Sequence, residues 1–140
     1  MTKGRSDTAK NILNKAIELN PKYLRSYSIM AGILVGEGNL QKAEFFLKKS
    51  LEINPKDINA LVNLACVLKD SGNPTQAEKF LKDALKINPS FDFALTNLGA
   101  VLNELEKFDE GEQYLRKALS INSSSPMALN NLGNILSNKK

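Results

Sequence analysis

Apolar positions along this chain recur at helical rather than strand spacing. Between Asp57 and Lys69 they fall at Ile58, Leu61, Leu64, Ala65 and Leu68, the set that one face of a helix presents. Ser71-Gly72-Asn73 interrupts that face. Glycine suits a left-handed turn, Asn73 can cap the next helix, and Pro74 suits a first helical turn. A second face runs through Ala77, Phe80, Leu81, Ala84 and Ile87. Asn88-Pro89 ends it, because proline cannot continue the helical ladder. The pattern predicts a pair of antiparallel helices joined by a tight turn.

The same pair recurs along the chain. Asn20-Pro21, Asn54-Pro55 and Asn88-Pro89 are each 34 residues apart, and Asn122-Ser123 follows in phase with proline lost. Small residues keep the period: Ala31, Ala65, Gly99 and Gly133 form one column, Ala9, Ala43, Ala77 and Gly111 another, Ala16, Ser50, Ala84 and Ala118 a third. Leu13, Leu47, Leu81 and Leu115 align, as do Leu34, Leu68, Leu102 and Leu136. Small columns let helix backbones approach more closely than bulky contacts allow, and the leucine columns fill the space that remains. Asn20, Asn54, Asn88 and Asn122 read as structural residues at helix ends, where asparagine tolerates unusual backbone angles. Phe45, Phe80 and Tyr114 fall on second helices and read as packing residues.

This pattern resembles the tetratricopeptide repeat, Trp-x₂-Leu-Gly-x₂-Tyr, then Ala-x₃-Phe, then Pro. The chain offers Leu95-x₂-Leu98-Gly99-x₂-Leu102 with Gly111-x₃-Leu115, and Leu61-x₂-Leu64-Ala65-x₂-Leu68 with Ala77-x₃-Leu81 and Pro89. It also offers Tyr27-x₂-Met30-Ala31-x₂-Leu34 with Ala43-x₃-Leu47 and Pro55. The resemblance implies an all-α, right-handed superhelical solenoid of eight helices in a single array over residues 1–140. The expected units are a half repeat at 8–23, full repeats at 24–57, 58–91 and 92–125, and a half repeat at 126–138. The lone terminal helices, 8–20 and 126–137, are apolar where arrays usually carry a polar cap. Either the chain is cut from a longer array, or the two ends pair head to tail between copies.

Composition narrows the function. The chain has no histidine, no tryptophan and one cysteine, Cys66. Zinc chemistry and Ser-His or Cys-His nucleophile pairs therefore lack their residues. The acidic side chains are scattered over polar faces, without an apolar pocket to raise a carboxylate pKa. No enzyme activity, cofactor or metal is expected, unless the array is the recognition region of a larger glycosyl- or sulfotransferase. No apolar run approaches a membrane span and no leader is evident, so no membrane association and a cytoplasmic location are expected. Cys66, without a histidine partner, reads as a small apolar residue.

In the family the first helix of each repeat lines a concave groove that binds peptide or protein segments. Carried over, the groove positions here include Arg25, Ser28, Ile29, Gly32, Val35, Val62, Lys69, Thr96, Ala100 and Asn103. The candidate binding residues are Asn63, Asn97 and Asn131, 34 apart, with Asn59, Phe93, Met127, Asn130 and Asn134 as neighbours. A carboxamide offers both a donor and an acceptor, so a stacked column pairs with the N–H and C=O of an extended peptide whatever its side chains. The column looks like the asparagine ladder of O-linked N-acetylglucosamine transferases. The alternative is that asparagine is simply a common surface residue here. Phe93 and Met127 fit either an apolar pocket beside the ladder or packing against the next repeat.

The positions that clamp chaperone-tail carboxylates in some relatives hold Ser28, Gly32, Asn63, Phe93 and Asn97 here. Only Asn63 matches, so that ligand is not expected. The net charge of +4 raises nucleic acid as a partner. Yet the basic residues gather on second helices among Glu44, Glu52, Glu78, Asp83 and Glu112, which reads as a solvated face of mixed charge. A protein or peptide partner is expected, and nucleic acid is not.

Overall fold

The computed structural model describes residues 2–140, and among them it forms eight helices and no strands. These are α1 (Lys3–Leu19), α2 (Leu24–Gly36), α3 (Leu40–Ile53), α4 (Ile58–Asp70), α5 (Pro74–Ile87), α6 (Asp92–Glu104), α7 (Phe108–Ile121) and α8 (Pro126–Asn138). Each packs on its neighbours in sequence. The tightest pairs are α2 with α3, α4 with α5 and α6 with α7, and the first helices also meet across repeats, α4 with α6 and α6 with α8. The chain is an all-α helical repeat solenoid.

Local chemistry sets the helix boundaries. Asn39 and Asn73 cap α3 and α5 by accepting from the backbone N–H of Lys42 (3.2 Å) and Gln76 (3.4 Å). Asp57 caps α4 through the N–H groups of Asn59 and Ala60, and Ser125 caps α8 through that of Ala128. The turns between paired helices pass through positive φ at Gly38 (75°), Gly72 (82°) and, without glycine, Glu106 (59°).

The asparagines between repeats act by a different route from the one their residue type suggests. Asn20, Asn54, Asn88 and Asn122 sit at φ between −143° and −132°, not in the left-handed region. Each side-chain oxygen instead accepts from the backbone N–H two residues on: Lys22, Lys56, Ser90 and Ser124. This turn does not use the N–H of the intervening residue, so proline is tolerated there, and with Ser123 in that place the Asn122 side chain forms the same turn.

The core follows the columns. Leu47, Leu81 and Leu115 are buried, as are Ala43, Ala77, Ala84 and Ala118. Gly99 lies against Leu115 so closely that an added Cβ would fall 2.3 Å from Leu115 Cγ. Two second-helix readings change. Phe45 is 55% exposed; the packing column is Phe46, Phe80 and Tyr114, one residue on. Helix α1 begins at Lys3 rather than near residue 8. Its extra turn is tied down by the hydroxyl of Ser6, which donates to Glu37, and by Lys10, whose ammonium lies 2.8 Å from the same carboxylate.

Candidate functional site

Helices α2, α4, α6 and α8 place one residue per turn of the repeat in register. Asn63 stands on α4, Asn97 on α6 and Asn131 on α8, with Ile29 in the same column on α2. The three asparagines are not equivalent. Asn97 Nδ2 donates to the carbonyl of Phe93 at 2.8 Å, and its Oδ1 accepts from the thiol of Cys66 at 3.4 Å. Asn131 Nδ2 reaches across to the carbonyl of Thr96 on α6 at 3.4 Å. These bonds run to backbone and thiol rather than from one asparagine to the next. Asn63 takes part in neither kind and is exposed. Farther along, Asn138 donates to Asn103 at 3.0 Å, so the amides also stitch adjacent first helices together.

The neighbours divide. Asn59, Asn130 and Asn134 are exposed. Phe93 and Met127 keep much of their surface in solvent, and Phe93 leans on Phe91 with ring centroids 6.3 Å apart. Val62 and Thr96 are buried, so neither offers its side chain to a ligand. Cys66 is half-buried, and burial pushes its thiol up, which keeps it neutral. Among the described residues no group of three or more His, Cys, Asp or Glu side chains is placed to hold a metal ion.

A cleft of about 210 Å³ opens between α2 and α4, lined by Ala31, Gly32, Val35, Leu47, Asn63 and Val67 among others. Repeat position puts Gly32 and Val35 on the groove but does not separate them from the rest. The only signal in the sequence is that Gly32 is the smallest residue of its column.

On the second helices, Lys48 meets Glu44 at 2.6 Å, Lys82 bridges Glu78 and Glu110, and Arg116 meets Glu112 at 2.8 Å. Of the eight cations on α3, α5 and α7, five are engaged by carboxylates. Among the described residues no helix is long and apolar enough to cross a membrane.

Comparison with curated proteins by sequence finds no match. Solved structures do match. The crystal structure of MamA superposes with a TM-score of 0.88 at 20% identity, over 98% of this chain and 80% of that one. YrrB, described as a TPR protein with an unusual peptide-binding site, gives 0.80 at 20% identity over 97% and 70%. The first TPR of Spaghetti (RPAP3), bound to the HSP90 peptide SRMEEVD, gives 0.79 at 19% identity over 82% and 91%. Family profiles described as tetratricopeptide repeat match residues 1–65 and 34–102, and a second such profile matches 94–125. With these matches spanning most of the columns described above, the chain belongs to the tetratricopeptide repeat family.

Proposed function

We propose that this chain is a non-catalytic scaffold that holds an extended segment of a partner protein across its first helices, in the cytoplasm. The observation that carries this reading is the asparagine column on α4, α6 and α8, in which Asn63 is exposed and uncommitted. Asn97 and Asn131 each spend part of their capacity on the array, yet a carboxamide has two N–H groups and two acceptor lone pairs, so each keeps some for a ligand. Each bond to a segment contributes about 0.5–1.5 kcal/mol net, enough for register and modest affinity. Asn59, Phe93, Met127, Asn130 and Asn134 supply the polar and apolar surroundings.

The peptide-binding neighbours support a peptide ligand in general. They do not support the acidic HSP90 peptide for this chain, because Ser28, Gly32, Phe93 and Asn97 bring no cation to it. The engaged lysines of the second helices argue against nucleic acid, whose affinity comes from free cations. The test is a phage-displayed library of random dodecapeptides selected on the native chain. Selected peptides should bind the Asn63→Ala, Asn97→Ala, Asn131→Ala variant at least tenfold more weakly, with helicity unchanged. Equal binding by both proteins removes the ladder.

A second reading is head-to-tail self-association through residues 8–20 and 126–137. It is favoured by Ile12 on α1 and by Leu129 and Leu136 on α8, large apolar side chains left in solvent. Light scattering should then show mass rising with concentration, and Leu132→Glu should abolish the rise. A monomer at every concentration removes this reading.

A further inference from the structure

Helix α2 departs from its counterparts at one groove position. The column that holds Cys66 on α4, Ala100 on α6 and Asn134 on α8 holds Gly32 on α2. On α4 that side chain spans the gap to the next first helix, Cys66 Sγ reaching Asn97 Oδ1. At Gly32 the gap stays open: a Cβ added there would meet no atom beyond its own helical turn within 4 Å. Gly32 lines the cleft of about 210 Å³ between α2 and α4, and on its other side a more open one of about 790 Å³ against α1. Ala31, Val35, Leu47 and Val67 give the smaller cleft apolar walls, and Ser28, Asn63 and Cys66 line it as well. The one carboxylate on it, Asp70, is paired with Lys69 at 3.3 Å.

We propose that this cleft is a subsite for one large aliphatic side chain of an extended partner segment, and that Gly32 sets that preference. This deepens the groove reading and rests on it. The size fits a single side chain: an apolar cavity of about 150 Å³ holds a benzene ring, whereas small-molecule sites run to about 300–1,000 Å³. Walls of alanine, valine and leucine side chains suit an apolar group of matching branched shape, and a charged side chain placed here would lose hydration and find no unpaired opposite charge. Asn63 stands where its amide can take the N–H or C=O of the segment's backbone beside the seated side chain, fixing its direction.

Filling the cleft is the direct test. Gly32→Leu places a side chain in open space and replaces a poor helix former by a good one, so Tm should rise by about 2–5 °C. Dodecapeptides selected on the native chain should share one aliphatic position, and alanine at that position should weaken binding about tenfold or more. Gly32→Leu should weaken the same peptides by a similar factor while the fold is intact. Val35→Glu, at a wall position that is 41% exposed, is the second variant and should lose the aliphatic preference without plugging the cleft. Peptides with no shared aliphatic position, or bound equally by Gly32→Leu and Val35→Glu, overturn the subsite. If such peptides are still lost by the triple asparagine variant, the groove reading survives and the subsite falls alone. Failure to select any peptide, or selection of peptides insensitive to every variant, overturns both.

Discussion

Helices α6 and α8 carry the same motif in two different settings. Leu95, Leu98, Gly99 and Leu102 on α6 match Leu129, Leu132, Gly133 and Leu136 on α8, 34 residues on. On α6 all four are buried, beneath α7 and its neighbours. On α8 Leu129 is 50% exposed, Leu136 is 45% exposed, and an added Cβ at Gly133 would meet nothing. The motif therefore encodes a helix with an apolar stripe, while burial comes from the second helix laid across it. Leu115 of α7 fills the space over Gly99, and among the described residues no second helix of its own repeat lies over Gly133. Stability in such a chain is local to each repeat and its interfaces rather than a property of one shared core.

The largest expected contrast is between matched leucines. Leu98 is fully buried, so Leu98→Ala should cost about 2–5 kcal/mol through lost transfer energy and the cavity left behind. Leu136→Ala should cost less than about 1 kcal/mol, because nearly half of that side chain is already in water. Urea unfolding of both variants checks this, and equal losses would mean that α8 is covered in solution. Matched glycines come next. Gly99→Ala drives a Cβ into Leu115 and should cost about 1–3 kcal/mol. Gly133→Ala should be neutral or gain up to about 1 kcal/mol from helix propensity. Ala65 holds this column on α4, buried with its own Cβ accommodated, so the penalty at Gly99 measures how much less room α6 and α7 leave.

A smaller effect tests the rule that these columns want small apolar residues. Ser50 stands among Ala16, Ala84 and Ala118, and its hydroxyl is buried without a hydrogen-bond partner. Ser50→Ala removes an unsatisfied polar group and should raise stability by about 1 kcal/mol, read as a higher urea midpoint at unchanged slope.

The columns are legible in the sequence because each records a contact that recurs, and recurrence multiplies a weak signal. What escapes it is particular to one junction. The first turn of α1, Lys3 to Asp7, has no apolar period, and its helix is held by Glu37 far along the chain. Phe45 reads as interior because aromatic residues usually are, but the column one residue on, with Phe46, Phe80 and Tyr114, takes that role instead. Repeat position alone assigns Val62 and Thr96 to the groove, yet both are buried in the packed array. The unequal bonding of Asn63, Asn97 and Asn131 depends on what lies opposite each one, which no single repeat specifies.

The smallest predicted effect concerns charge at the junctions. Glu78 on α5 is only 10% exposed at its side chain and lies 2.7 Å from Lys82 and 2.9 Å from Lys107, the residue that opens α7. Burial pushes its carboxyl up, but the two ammonium groups outweigh that and hold it below the ordinary carboxylate value of 4.5. Glu112, against Lys139 and Arg116 at the α7–α8 junction, is lowered as well. A carboxyl whose pKa is lower folded than unfolded stabilises the fold at pH values above its unfolded pKa. That contribution fades as pH falls from about 4.5 through the lower folded value. Glu78→Gln should therefore cost about 0.5–1 kcal/mol at pH 7, with the partly exposed lysines screened by water. The cost should vanish once the native Glu78 is itself protonated in acid. Urea midpoints of the native chain and Glu78→Gln, followed from pH 7 to pH 3, should converge at the acid end. A difference that stays constant across that range would show that glutamine disturbs packing and that the charge is not what links α5 to α7.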